Sequence, residues 1–330
     1  MTYKPNLRLK RLRKTATIRD MLRETRLHTA NLIAPLFIHA NLSEKQAIST
    51  MPGHYQLTLA DLEEEIATLT HLGIGAVLLF GIPTHKDAQG SASLADNGII
   101  QQAIQRIKQL NPNMTVIADV CLCEYTDHGH CGILHGELID NDATLEQLAQ
   151  QALSFARAGV DWVAPSANTD GMVGAIREAL DAEGFYQVAI LSYAVKYSSS
   201  LYGPFREAAM GAPQFGDRKT YQMDPANGQE ALREAALDLE EGADILMVKP
   251  AMLYLDVIHR IKQRHPEVPL AAYQVSGEFA MIKAAAAGGL LNEQDAMIES
   301  ITAIQRAGAD LIITYFAKEI AQALSTYPKR

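Results

Sequence analysis

The chain has 330 residues, of which 48% are hydrophobic and 20% charged, a balance typical of globular rather than disordered or fibrous proteins. Its formal net charge of -9 argues against nucleic-acid binding, which needs a basic domain. No apolar run approaches the roughly 18–20 residues that span a bilayer. No apolar segment of the secretory type follows the basic N-terminus. We therefore expect a cytoplasmic protein without nucleic-acid or membrane partners.

The first 30 residues are basic and show little apolar periodicity. Six Lys/Arg residues lie between Arg8 and Arg19. Such a segment cannot form a core of its own, and the acidic remainder of the chain offers it a surface of opposite charge. The pattern predicts an extended N-terminal arm over residues 1–30, which meets an acidic surface of its own oligomer.

Eight short apolar runs follow the arm, and amphipathic stretches separate them. Near-continuous apolar runs of this length are typical of parallel strands that are buried on both faces. The intervening stretches, such as IIQQAIQRIKQLNP and EALREAALDLEEG, end in Asn-Pro or Gly, which suits helix termini. The apolar runs are LIAPLFIH (32–39), GAVLLFGI (75–82), MTVIADVCL (114–122), DWVAPS (161–166), VAILSY (188–193), ADILMVKP (243–250), PLAAYQVSG (269–277) and ADLIITY (309–315).

The eight β-α units predict one α/β domain over residues 31–330, a (β/α)8 TIM barrel that carries the extended arm. The alternative is a doubly wound open sheet. A dinucleotide-binding form of that sheet is disfavoured because no G-x-G-x-x-G follows the first run. Two connections, residues 123–143 and 194–227, are unusually long. Both follow strands at the end of the barrel where active sites are built, so we expect them to bind or cover a ligand.

Two lysines lie at the ends of the fifth and sixth predicted strands. Lys249 ends the run ADILMVK, and Lys196 follows LSYAV. Two lysines in one pocket disfavour each other's charge, and a desolvated amine becomes neutral and able to attack a ketone. The arrangement favours Schiff-base chemistry, with a barrel lysine in an ion pair as the alternative.

All three cysteines fall within the stretch DVCLCEYTDHGHCG, residues 119–132. They are Cys121, Cys123 and Cys131, with His128 and His130 close by. An odd number in a chain of this kind argues against a disulfide framework. Three thiolates with an open fourth position suit a zinc ion that holds water or substrate. The alternative is a set of small buried thiols.

Candidate anion-binding side chains lie in the second long connection and after later strands. Arg206 in GPFR and Arg218 in FGDRK suit a substrate carboxylate, which a guanidinium group binds through two hydrogen bonds. Surface arginines are also common, so this pattern alone leaves both interpretations open. Ser276 and Tyr315 follow two later strands and are candidates for a second carboxylate, with local capping as the alternative.

These motifs together resemble the porphobilinogen synthase (5-aminolevulinate dehydratase) family, from about residue 5 to residue 325. The most specific stretches are EGADILMVKPAMLYLD, YGPFREAA, FGDRKTYQM and YQVSGEFAMI. The resemblance implies a lyase that joins two molecules of 5-aminolevulinate into porphobilinogen with loss of two waters, in heme and porphyrin biosynthesis. It also implies a homo-octamer in which the arm embraces a neighbouring barrel.

The resemblance further implies a role for each matching residue. Lys249 resembles the lysine that forms a Schiff base with the substrate molecule on the propionate side of the product. Lys196 resembles the lysine for the acetate and aminomethyl side, and Asp119 an active-site carboxylate near the metal. Carboxylate binding is implied for one molecule at Arg206, Arg218 and Gln222, and for the other at Ser276 and Tyr315. The implied metal ligands are Cys121, Cys123 and Cys131 for catalytic Zn²⁺, and Glu234 for allosteric Mg²⁺.

One stretch departs from the family pattern. Where the family usually reads A-P-S-D-M-M-D-G-R, this chain reads APSANTDGM at residues 164–172. Ala167 replaces an acid, Asn168 and Thr169 replace two methionines, and Met172 replaces an arginine. We expect reduced turnover, partly compensated by Asp119 and Asp170 in the vicinity.

Two other functions are compatible with parts of the pattern. A catalytically weakened paralogue would bind 5-aminolevulinate or a tetrapyrrole precursor for regulation, although a binding protein needs neither two amines nor a thiolate zinc site. A class I aldolase that acts on another keto acid shares the barrel and one lysine. It explains neither the second lysine nor the three cysteines.

Overall fold

A computed structural model describes residues 6–326. Its eight main strands pair in chain order and in parallel, and the eighth also pairs with the first, so the sheet closes into a barrel. This closure confirms the predicted (β/α)8 barrel and excludes the doubly wound alternative, whose sheet is open. The strands are β1 (Leu32–His39), β2 (Ala76–Ile82), β3 (Thr115–Val120), β4 (Trp162–Pro165), β5 (Ala189–Lys196), β6 (Ile245–Lys249), β7 (Leu270–Gln274) and β8 (Leu311–Thr314).

Helices lie between successive strands, with α1 ahead of β1 and α11 after β8. They are α1 (Ala16–Met21), α2 (Leu62–His71), α3 (Ile99–Leu110), α4 (Asn141–Ala158), α5 (Met172–Ala182), α6 (Gly203–Ala208), α7 (Glu230–Glu240), α8 (Leu255–Arg264), α9 (Ser276–Ala287), α10 (Glu293–Ala307) and α11 (Ala317–Thr326). Short strands at Gln46–Ala47, Tyr55–Leu57, Leu134–His135 and Leu138–Ile139 lie in the loops. Among residues 6–326, no helix is both long enough and apolar enough to span a membrane.

Burial explains the two kinds of sequence pattern. All five residues of β6 are buried, as expected for a strand with the barrel interior on one face and helices on the other. Helix α3 buries Ile100, Ile104 and Ile107, whose spacing places them on one helical face. Gly159 ends α4 with a φ of 95°, a left-handed conformation that glycine adopts without steric cost.

Strand β5 differs from the prediction, because it continues to Lys196 instead of ending at Tyr193. The added residues pair with β6, where Val195 stands opposite Val248 and Lys196 opposite Lys249. Pairing with a neighbouring strand lengthens β5, and the pattern of a single apolar run does not contain that information. As a result both lysines are strand-end residues at the same level of the barrel.

The described residues ahead of β1 lie mostly at the surface. The 3-10 helix Leu9–Arg13 and helix α1 bury no side chain. Leu7 and Met21 are 80% and 74% exposed. Residues 6–26 bury no side chain, whereas Leu27 is partly buried against the barrel core, and the boundary at residue 30 stays a prediction. Residues 1–5 of the predicted arm lie outside the described residues.

Candidate active site

The two predicted lysines lie side by side at the C-terminal end of the barrel. Lys196 and Lys249 stand opposite each other in the ladder between β5 and β6 and are 5% and 6% exposed. The Lys196 amine donates a hydrogen bond to the main-chain oxygen of Ser166, directly after β4. The lysine ion pairs among residues 6–326 include neither of them. The pair therefore has the position of reactive amines rather than of structural ion pairs.

Aromatic rings surround the amine of Lys249. Its Nζ lies 4.3 Å from the ring centre of Tyr273, 4.9 Å from Tyr193, 5.2 Å from Phe205 and 5.4 Å from Tyr202. The rings exclude water from the amine. Sequence reasoning missed them, although the tyrosines close to the ends of β5 and β7 were an available signal.

The environment of Lys249 makes its amine a good nucleophile. Burial and, after it, the charge of Lys196 lower the pKa of Lys249 to about 7, although Asp119 acts in the opposite direction. A substantial fraction of the amine is therefore uncharged near neutral pH, and only the uncharged form attacks a carbonyl carbon.

Asp119 is the buried carboxylic acid beside the two amines. It lies on β3 and is 7% exposed. Its Oδ2 accepts a hydrogen bond of 2.9 Å from the Ser166 hydroxyl, whereas Oδ1 has no hydrogen-bond partner among the described residues. Burial raises the pKa of Asp119, and the charges of Lys249 and Lys196 act to lower it. The group is placed to hold or move a proton next to both amines.

The three predicted cysteines form one cluster. Their sulfur atoms all lie within 4.8 Å of one another, and Cys121 Sγ is 3.4 Å from Cys123 Sγ. All three, including Cys131, are buried and free. Sulfur atoms bound at about 2.3 Å to one tetrahedral zinc ion lie about 3.8 Å apart. The cluster therefore fits such an ion with little movement.

Glu124 is a residue of this region that sequence reasoning missed. It follows Cys123, is 2% exposed, and accepts a hydrogen bond of 3.3 Å from the Cys123 thiol. Burial and, after it, the charge of Asp119 raise the pKa of Glu124 to about 7. The available signal was a charged residue placed among the cysteines.

The two histidines of the same loop do not join the cysteine cluster. Among the described residues, the groups with three potential metal ligands contain no histidine. The His130 main-chain N–H donates to His128 Nδ1 at 3.1 Å, and the His130 ring contacts the Tyr221 hydroxyl and the Phe215 oxygen at 3.2 and 3.1 Å. These contacts fasten the two long connections to each other.

Arg206, Arg218 and Gln222 lie in the connection after β5, as predicted. Arg218 is buried, and its Nη2 donates to the main-chain oxygens of Gly129 and Gly211 at 2.9 and 2.6 Å. Burial and, after it, the charge of Arg218 lower the pKa of Arg206. The Nε atoms of both arginines and the Nε2 atom of Gln222 have no partner among the described residues. Unused buried donors of this kind suit an anion.

Ser276 and Tyr315 follow β7 and β8 at the barrel mouth, and each is 1% exposed. Ser276 is the first residue of α9, and its Oγ accepts a hydrogen bond of 2.9 Å from the Phe205 N–H. The Tyr315 hydroxyl lies 3.0 Å from the hydroxyl of Tyr273, whose ring covers Lys249. Ser276 thus holds the connection after β5 over the barrel. Tyr315 borders the lysine pocket.

Glu234 lies apart from the lysines, on α7. It lines a cavity of about 740 Å³ together with Asp170, Asn168 and Met172. Burial and, after it, the charge of Asp170 raise the pKa of Glu234. Among the described residues, Glu234 is not in a group of three potential metal ligands. Asp170 is exposed and faces this cavity, so of the two aspartates expected to compensate near the lysines only Asp119 lies beside them.

The departing segment, the stretch at residues 164–172 that differs from the family pattern, lies directly next to Lys196. Ala167 is fully buried and follows the Ser166 carbonyl that binds the Lys196 amine. Asn168 has a φ of 59°, and its Oδ1 has no partner among residues 6–326. An acid at the Ala167 position would therefore belong to the shell of the lysine pocket.

Comparisons with known proteins show the family of this chain. The family model for delta-aminolevulinic acid dehydratase matches residues 6–323. Curated relatives with that name include one of Bacillus subtilis (strain 168), 54% identical over 318 residues, which cover 96% of this chain and 98% of the relative. Another, of Halalkalibacterium halodurans, is 53% identical over 325 residues, with 98% of both chains covered.

A solved structure agrees as well. The crystal structure of delta-aminolevulinic acid dehydratase (porphobilinogen synthase) from Toxoplasma gondii ME49, in complex with the reaction product porphobilinogen, has a TM-score of 0.95 and 41% identity, over 99% of this chain and 96% of that one. Together with the family match, it confirms the predicted family and the predicted barrel fold. The chain belongs to the delta-aminolevulinic acid dehydratase family.

Proposed function

We propose that this chain condenses two molecules of 5-aminolevulinate to porphobilinogen with loss of two waters. The observation that carries the proposal is the pair of buried amines at the ends of β5 and β6, Lys196 and Lys249. Family membership supports the reaction, since a relative at 53% identity bears the name of the enzyme. A regulatory binding protein needs neither amine, so that alternative is not favoured.

Each lysine forms an imine with the ketone of one substrate molecule. The neutral amine adds to the carbonyl carbon, and the carbonyl oxygen leaves as water. Asp119 takes up and returns the protons of these steps. The propionate-side molecule belongs to Lys249 and the acetate-side molecule to Lys196. Both amines are released when the C–C and C–N bonds of the product replace the imines, so the net loss is two waters.

The substrate carboxylates bind to two sets of donors. Arg206, Arg218 and Gln222 offer unpartnered N–H groups to the molecule at Lys196. The hydroxyls of Ser276 and Tyr315 bind the molecule at Lys249. These contacts hold each ketone at its amine, which is the main contribution of binding groups to a condensation.

Two metal ions are assigned to this chain. Cys121, Cys123 and Cys131 would hold Zn²⁺, since thiolates select zinc over magnesium, and the ion would supply Lewis-acid activation of substrate or water. Glu234 offers a carboxylate oxygen for Mg²⁺. Because Glu234 lies outside the lysine pocket, its magnesium would act on the assembly rather than on the reacting atoms.

The test of the proposed function uses 5-aminolevulinate as the only substrate. Purified full-length protein supplied with zinc should form one porphobilinogen for every two substrate molecules consumed, measured by mass spectrometry. Binding of 5-aminolevulinate without product would support the regulatory alternative. Product formed only from another keto acid would support the aldolase.

The lowered pKa of Lys249 predicts the pH dependence of the reaction. Below pH 7 the free amine becomes charged and loses its nucleophilicity, and above pH 7 it is neutral. We therefore expect kcat/KM, which reports the free enzyme, to rise with pH through about 7, at close to tenfold per pH unit on the acid side. A kcat/KM that stays flat between about pH 6 and about pH 8 would contradict this assignment.

The predicted arm, residues 1–30, embraces a neighbouring barrel in a cytoplasmic homo-octamer. Its exposed apolar side chains, such as Leu7 and Met21, and its basic residues support this proposal. Deleting residues 1–26 should give a smaller and less active assembly whose barrel remains folded, because residues 6–26 bury no side chain in the core. Light scattering and circular dichroism measure the two effects. An unchanged octamer after the deletion would refute the role of the arm.

The departing segment should limit turnover. General acid-base assistance is typically worth about 10²–10⁴ in rate, and Ala167 offers none beside the Lys196 contact. Restoring the family residues across 167–172 should raise kcat at least about tenfold, the low end of that effect, and Ala167→Asp alone should recover part of it. Equal kcat in wild type and restored variant would show that the segment is neutral.

A further inference from the structure

Cys121 belongs to two groups of potential metal ligands rather than one. The first is the three-cysteine cluster, and the second consists of Asp119, Cys121 and Glu124. In each group the ligand atoms lie within 4.8 Å of one another, and every residue is buried. The second group is not needed for the proposed zinc site, and nothing in the condensation uses Glu124.

The carboxylate of Asp119 has an oxygen that the fold leaves unused. Asp119 is 7% exposed, and while Oδ2 is bound by the Ser166 hydroxyl, Oδ1 has no partner among the described residues. A buried polar atom without a partner is costly, so such atoms normally have a ligand. Glu124 adds a second buried carboxylate, whose Oε2 accepts a hydrogen bond of 3.3 Å from the Cys123 thiol.

We propose that Asp119, Cys121 and Glu124 form a second metal position, which shares the Cys121 thiolate with the three-cysteine site. Two carboxylate oxygens and one thiolate select a divalent cation of intermediate softness, such as Zn²⁺ or Co²⁺, and not Mg²⁺. Neighbouring positions with a shared ligand are typical of two-metal centres, whose ions lie about 3.5–4 Å apart.

This position also has a consequence for the reaction. Asp119 is the carboxylate beside the amines of Lys196 and Lys249, and a cation bound to it removes it from proton transfer. The second ion therefore inhibits, and the active enzyme carries only the ion at the cysteines. The inference rests on the proposed cysteine site, and the variants below distinguish failure of one position from failure of the other.

The experiment titrates the full-length protein, stripped of metal and kept free of oxygen, with Co²⁺. Equilibrium dialysis counts the bound ions, and the thiolate-to-cobalt absorption reports sulfur ligands. With excess Mg²⁺ present to occupy the site proposed at Glu234, wild type should bind two Co²⁺ ions per chain. Glu124→Gln should lower the affinity for the second ion at least tenfold. Loss of even an outer partner of a metal site lowers metal affinity about 10–100-fold. Cys131→Ser should lower the affinity for the first ion at the cysteines. It should leave the mixed oxygen-sulfur site of Asp119, Cys121 and Glu124 able to bind its ion.

Glu65→Gln is the matched control, because Glu65 pairs with Lys318 at 2.8 Å and lies outside both ligand groups. It should bind both ions, and circular dichroism verifies that every variant is folded. One ion in wild type, retained in Glu124→Gln and lost in Cys131→Ser, would overturn the second position and leave the cysteine site intact. One ion that is lost in Glu124→Gln and retained in Cys131→Ser would instead overturn the cysteine site.

Turnover tests the inhibitory role separately. With 5-aminolevulinate as substrate, the initial rate of wild type should fall as the second equivalent binds. In Glu124→Gln the same addition should leave the rate at its own starting value. An unchanged wild-type rate, with two ions counted by dialysis, would overturn the inhibitory role.

Discussion

Replacing Lys249 by Met should abolish porphobilinogen formation while the protein stays folded. Methionine fills a similar volume among the rings of Tyr193, Phe205 and Tyr273 without the charge. Lys249 forms no direct ion pair among residues 6–326, and the charge of Lys196 stays beside Asp119, so the substitution leaves this buried carboxylate with a cationic neighbour. Removing a covalent nucleophile costs about 10⁴-fold or more in kcat, so we expect turnover near the detection limit in a steady-state assay.

Two further variants separate nucleophilicity from charge and from general effects of substitution. Lys249→Arg retains the charge but offers no amine that becomes neutral, so it should be as inactive as the Met variant. Lys45→Met changes an exposed lysine paired with Glu64 and should have wild-type activity. If Lys249→Met kept a tenth of the wild-type kcat, Lys249 would not be the nucleophile.

Loss of one cysteine should have the second largest effect. Cys123→Ala removes one of three sulfur ligands, so we expect the variant to bind zinc weakly and to behave like wild type after chelation. A bound metal ion contributes several kcal/mol to a transition state, which corresponds to a loss of about 10²–10³ in kcat. Zinc should restore the chelated wild type, and magnesium should not.

The zinc content of each protein must be measured together with its activity. The chelated wild type should contain no zinc before reconstitution, and Cys123→Ala should remain depleted in the same buffer. Full activity in a protein shown to be free of metal would refute the role assigned to Cys121, Cys123 and Cys131.

The barrel could be predicted because its pattern is local. Buried strands such as β6 are apolar throughout, and the helices between them repeat their apolar residues at helical spacing. The extension of β5 to Lys196 was not predicted, because it depends on pairing with β6. Residues such as Val195 become part of a strand only when the partner strand is present.

The candidate site was predictable where a residue type alone suggests its chemistry. Lysines at strand ends and clustered cysteines are signals of that kind, and the structure brings both groups to one end of the barrel. Glu124 and Asp170 show what a residue type alone does not predict. Glu124 is buried against the cysteines, whereas Asp170 is exposed and lies near Glu234. That difference arises from the paths of two loops, which no local pattern records.

The most direct test of the central claim is reduction of the enzyme-substrate imine. Full-length protein is mixed with isotopically labelled 5-aminolevulinate, treated with borohydride, and digested for peptide mass spectrometry. The proposed function predicts a stable adduct on Lys249, with activity lost in proportion to labelling, and no adduct at that site in Lys249→Arg. Labelling confined to lysines outside the pocket, such as Lys45, with activity retained, would contradict it.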